Sequence, residues 1–127
     1  MTPGNVIFWP SFSFDDGGTA NKLLVVVGAR GSQARLLFKT TSQARTSRPD
    51  NDGCHAAASV FRFKANLAGF DVPTWVQFDP GIVLNVDDMQ GNGGRVMFSL
   101  RPVDLSAIIN CYKKSEDIST ELAKFLA

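Results

Sequence analysis

Apolar residues fall into short runs or alternate with polar ones along most of the chain, and only the tail carries helical spacing. Residues 22–28 (Lys-Leu-Leu-Val-Val-Val-Gly) form an apolar, β-branched run that stops on Gly28. Residues 36–43 (Leu-Leu-Phe-Lys-Thr-Thr-Ser-Gln) begin apolar and turn polar at Lys39, Thr40, Thr41 and Ser42. Both are too short for an independent helix and are bounded by glycine or polar residues, which predicts two buried strands near the middle of a sheet. Residues 29–33 between them have the glycine and polar content of a hairpin connection. A buried strand that ends in lysine and hydroxyls brings polar groups to the rim of a core. That rim is where a binding or active surface is expected.

The same reading extends outwards. Residues 4–10 form a first strand, with Pro10 restricting it to an edge or a bulge, and residues 11–14 continue the extended pattern. Residues 15–21 and 44–53 are loops without apolar periodicity. Residues 59–64 alternate as a half-buried strand should. Residues 74–78 and 82–86 read as two strands separated by the turn signal Asp79-Pro80-Gly81. A glycine-rich loop over 87–94 leads to a last strand at 95–100, for about seven strands in all. Beyond Pro102, Asp104 can cap a helix carrying Leu105, Ile108, Ile109 and Tyr112. Ser115 can cap a second, with Ile118, Leu122, Phe125 and Leu126 on one face. Strands followed by helices predict a mainly β, α+β fold: a small, strongly curved antiparallel sheet or barrel with two C-terminal helices.

Composition narrows the function classes. At 127 residues the chain reads as one domain spanning 1–127, large enough to bury a core without metal or disulfide scaffolding. Net charge is +1, so any attraction for nucleic acid must come from a local patch. Two cysteines are too few for a disulfide framework, and neither a signal peptide nor a membrane span is visible; a cytoplasmic location is the default.

Candidate chemistry is sparse. Cys54 and His55 are adjacent, and neighbours on an extended chain point apart, so they read as a loop cysteine beside a surface histidine. Asp15, Asp16, Asp87 and Asp88 lie in glycine-containing loops with no histidine or glutamate at ligand spacing, which predicts solvated turns and no metal. The basic residues Arg30, Arg35, Lys39, Arg45 and Arg48 lie in or beside the central hairpin and the loop after it. If they share a face they form a phosphate-binding patch, on which Trp9, Phe12 or Phe14 could stack a base; the competing reading is solvated charge on two faces.

The opening Gly4-Asn5-Val6, the strand at 23–27 and the turn Thr40-Thr41-Ser42-Gln43 together resemble toxins of the MazF and PemK type, the small-barrel group that includes CcdB-like proteins. The resemblance implies a homodimeric, metal-free and cofactor-free endoribonuclease of a toxin–antitoxin system, acting on single-stranded RNA and held inactive by an antitoxin. It places the family's threonine at Thr41, with Ser42 and Gln43 completing the turn. The family's phosphate-binding arginine falls at Asn21 or Lys22, without its arginine–proline pair. Lys22 supplies charge there but no bidentate fork, a change costing on the order of 10²-fold in rate. Lys22 and Thr41 are therefore the expected catalytic pair, and Ser42, Gln43, Arg30, Arg35, Arg45 and Arg48 the expected RNA contacts. Two alternatives remain open: a non-catalytic binding module of the same fold recognising nucleic acid or protein, and a gyrase-directed toxin working through the hydrophobic C-terminus.

Overall fold

The structure, a computed structural model, describes residues 1–13 and 18–126. Its strands are β1 (Asn5–Ser13), β2 (Thr19–Arg30), β3 (Ala34–Thr41), β4 (Gly53–His55), β5 (Val60–Phe63), β6 (Thr74–Asn85) and β7 (Arg95–Ser99). They form one antiparallel sheet in the order β4-β5-β6-β3-β2-β1-β7. β2 and β3 occupy the middle, as their apolar runs predict. The ends of the sheet, β4 and β7, do not pair, so the sheet is open and no barrel is formed. β4 has only three residues of ladder to offer, and helix α2 (Pro102–Lys114) packs against β4 and β5.

Seven strands agree with the expected number, but they are divided differently. The two expected strands, 74–78 and 82–86, merge into one strand, β6, which ends at Asn85, because both halves pair with β3: Gln77 faces Lys39 and Ile82 faces Leu37. The four residues 78–81 therefore stand against Phe38 alone, and Asp79-Pro80-Gly81 makes a bulge where a hairpin turn was expected. Proline has no N–H to give to a ladder, so a bulge accommodates it. Pro10 behaves alike, lying where the β1–β2 register shifts between Trp9 and Phe12. The additional strand, β4, falls at Gly53–His55, at the end of the expected 44–53 loop.

The helices also depart from expectation. Residues Val86–Gly91 form a short helix, α1, with Asp87 and Asp88 in its first turn and Met89 fully buried. Its N-terminal amides are satisfied from β3's approach: Val86 N donates to Gln33 O (3.0 Å) and Asp87 N to Gln33 Oε1 (3.1 Å). These partners lie more than fifty residues away in sequence, which hides the helix from local pattern. In α2, Pro102 takes the first position that suits it and Asp104 pairs with Arg101 at 2.9 Å. The last helix, α3 (Thr120–Ala123), is capped by Ser119, whose Oγ accepts from Leu122 N (3.1 Å), instead of by Ser115.

The main core lies on one face of the sheet, where Phe38, Phe78 and Tyr112 pack with ring centroids 4.8–5.6 Å apart. A smaller cluster of Ile7, Leu24, Val26, Leu37 and Met89 covers the other face. The C-terminal segment packs on the main core through Leu122, Phe125 and Leu126, and Ala29 N donates to Phe125 O at 3.1 Å. A Cβ on Gly28 would stand 2.4 Å from that same oxygen, so glycine is what permits the approach. Cys54 and Cys111 form a disulfide joining β4 to α2. Nothing local in the sequence marks this bridge, because 57 residues separate its ends.

Candidate functional site

The end of the central hairpin remote from its turn opens into a groove of about 830 Å³. Strand geometry explains its position. β3 ends at Thr41, and continuing the register in which Leu24 faces Lys39 sets Leu23 beside Thr40 and Lys22 beside Thr41. Thr40, a buried hydroxyl, donates to Leu23 O at 2.7 Å and holds the two strands together here. Thr41 Oγ1 accepts from Gln43 N (3.3 Å) and so turns the chain out of the sheet. That bond uses one acceptor site of the hydroxyl and leaves its O–H to donate.

One wall of the groove is cationic. Lys22 Nζ donates to Thr40 O at 3.2 Å. Arg45 and Arg48 arrive from the loop that follows β3, with Arg48 Nη1 donating to Gln43 O at 2.6 Å. Several bonds hold this loop. Trp75 Nε1 donates to Pro49 O (2.6 Å), Arg62 pairs with Asp52, and His55 Nε2 shares a hydrogen bond with Asn51 O (2.7 Å). Burial pushes the Lys22 ammonium below the ordinary lysine range, and the charges of Lys39 and Arg48 push it further. Burial and then Arg45 act the same way on Arg48. The cations therefore repel one another inside a partly desolvated site, and an entering anion would relieve that repulsion.

The rest of the lining includes segments for which the sequence predicts no part in the site. Phe70, Asp71 and Val72 lie between β5 and β6, and Met97 and Phe98 belong to β7. No local signal marks them. Glycine at position 69 lets them meet, since a Cβ there would stand 2.5 Å from a carbon of the Phe98 ring.

Of the expected contacts, Lys22, Thr41, Ser42, Gln43, Arg45 and Arg48 all line this groove. Arg30 and Arg35 do not. Arg30 lies eight residues along β2 from Lys22, roughly 26 Å away at strand rise, with its guanidinium over the Phe125 ring at 5.9 Å. Arg35 is buried, and its guanidinium donates to the carbonyls of Met1 (2.6 Å), Gly31 (3.2 Å), Ser32 (3.3 Å) and Ala34 (2.9 Å). It is a clasp for the hairpin turn. Trp9 and Phe12 pack edge to face at 5.9 Å beside the smaller core cluster and do not line the groove. His55 lies on β4, and Phe14, Asp15 and Asp16 lie outside the described residues.

Among the described residues no group of three or more His, Cys, Asp or Glu side chains could hold a metal ion, and no helix is long and apolar enough to cross a membrane. Comparison with protein-family models, with curated proteins and with solved structures returns no match for this chain.

Proposed function

We propose that the groove binds the phosphodiester backbone of single-stranded RNA. The observation that carries this reading is the convergence of Lys22, Arg45 and Arg48 with the Thr41-Ser42-Gln43 turn in a single groove. Cations track a backbone, and the hydroxyl and amide groups between them donate to non-bridging oxygens. A chain of net charge +1 has no general attraction for polyanions, so this local wall supplies the affinity. The test is fluorescence anisotropy of a labelled single-stranded RNA with the wild type and with a double variant, Arg45→Ala with Arg48→Ala. Saturable binding that the double variant loses supports the reading. Equal binding by both proteins, or none by either, removes it.

Metal-independent cleavage in the same groove is a second reading, favoured by Lys22 and Thr41 both lining it. A ribose 2′-oxygen would bond to the adjacent phosphorus while the P–O5′ bond breaks. The hydroxyl proton would pass through water to the leaving 5′-oxygen, giving a 2′,3′-cyclic phosphate and a 5′-hydroxyl. Lys22 and Thr41 would neutralise charge on the phosphoryl oxygens. Fragments formed from long RNA in EDTA, and absent with Thr41→Ala, would support turnover. Intact RNA would leave binding alone. The toxin–antitoxin setting, with an antitoxin partner and a homodimer, belongs to this second reading.

A further inference from the structure

The groove has a chemical asymmetry that a phosphate site does not need. Asp71 is the one carboxylate among the described residues that line it, in a groove that also holds Lys22, Arg45 and Arg48. It is exposed, and no hydrogen bond or ion pair to it occurs among the described residues. Two large apolar side chains left open to solvent line the same groove: Val72, the next residue in the chain, at 50% exposure and Met97 at 51%. A carboxylate in a groove that binds a polyanion weakens attraction for the backbone, so its value there lies in contact with another part of the ligand. Exposed apolar side chains in the same groove suit the face of a nucleobase.

An ionised carboxylate only accepts hydrogen bonds, and its two oxygens match two neighbouring donors. Among the four RNA bases only guanine presents two adjacent donors on its Watson–Crick edge, N1–H and N2–H. That edge is free in a single strand. Adenine and cytosine offer one amino group beside an acceptor, which would face the second oxygen unfavourably. Uracil offers a single N–H between two carbonyls.

Resting on the RNA reading above, we infer that Asp71 marks a guanine-selective subsite: Asp71 accepts from N1 and N2 of an unpaired guanine whose face lies against the exposed apolar side chains of the groove, while Lys22, Arg45 and Arg48 hold the flanking phosphates. Gln77, which also lines the groove, carries an amide able to donate to guanine O6.

The test uses labelled oligouridine and the same oligomer with one central guanosine, inosine or adenosine, measured by anisotropy against wild type and Asp71→Asn. The guanosine oligomer is expected to bind wild type roughly 10- to 100-fold more tightly than the adenosine oligomer. Inosine, which lacks the N2 amine, falls between them. Asp71→Asn abolishes the preference for guanosine over adenosine. Binding of every oligomer with equal affinity overturns the guanine subsite and leaves the RNA reading standing. A guanine preference that survives in Asp71→Asn overturns it as well. Failure of all the oligomers to bind overturns both. Asp71 is exposed, so unchanged thermal unfolding of the variant separates these outcomes from misfolding.

Discussion

The indole of Trp75 and the backbone of Pro49 are joined by a hydrogen bond of 2.6 Å from Nε1 to the carbonyl oxygen. This contact fastens the middle of an otherwise polar loop to β6, one strand from β3. Trp75 is itself covered by the Arg62 guanidinium, 5.0 Å from the ring centroid, and Arg62 in turn pairs with Asp52 at the loop's far end. The arginines of the groove thus owe their positions to a tryptophan that does not line it.

Trp75→Phe keeps the ring and removes the donor. Losing one such bond costs about 1 kcal/mol, roughly a fivefold change in an equilibrium constant. RNA affinity is therefore expected to fall about fivefold through a looser loop, with thermal stability changed by a similar free energy. Anisotropy titration and calorimetry on the variant check both.

Three cations on the groove wall set the salt dependence. For single strands each neutralised phosphate contributes about −0.7 to the slope of log K against log salt, so a slope near −2 is expected. Arg48→Ala should reduce its magnitude by about 0.7. A slope near zero would mean that Lys22, Arg45 and Arg48 do not contact phosphate.

The lowered pKa of Lys22 gives opposite pH trends for binding and for stability. Burial first, then Lys39 and Arg48, disfavour the ammonium in the folded state relative to an ordinary value of 10.5. Between the lowered native value and 10.5 the unfolded chain holds more protons than the folded one, so this residue's contribution to stability rises with pH across that window. Phosphate affinity falls across the same window, because the bound anion requires the charge. Lys22→Met should flatten both profiles, as seen by titrating affinity and unfolding temperature upward from neutral pH.

Gly28→Ala is expected to destabilise the fold by about 1–3 kcal/mol. The added methyl would sit 2.4 Å from Phe125 O, so the C-terminal segment must move off β2. Denaturant unfolding measures the loss. Retained RNA binding would show that the segment is independent of the groove, which lies at the other end of β2.

Reducing the Cys54–Cys111 bridge opens a loop of 57 residues, worth about 4 kcal/mol of chain entropy in the unfolded state. The unfolding temperature should fall in a dithiol reductant, and Cys54→Ser should reproduce the fall. Bridges of this kind persist in oxidising compartments and are rare in the cytosol, which bears directly on the cytoplasmic expectation.

The residues themselves determined the class of the fold and the place to look. The apolar run at 22–28 and the polar turnover at 39–42 identify central strands and a polar rim without reference to any distant residue, because side-chain alternation and turn chemistry act over a few positions. Only the tertiary structure decided what acts across the chain. The Asp79-Pro80-Gly81 signal reads as a turn until β3 is seen to pair with both sides of it. The helix at Val86–Gly91 depends on Gln33, and the disulfide on two residues 57 apart. Arg35 and Arg45 are alike in sequence, yet one is consumed by four carbonyls and the other faces the groove. Charge type is local, but burial and partners are set by which strands meet, and Asp71 and Lys22 line one groove only because tertiary packing brings their segments together.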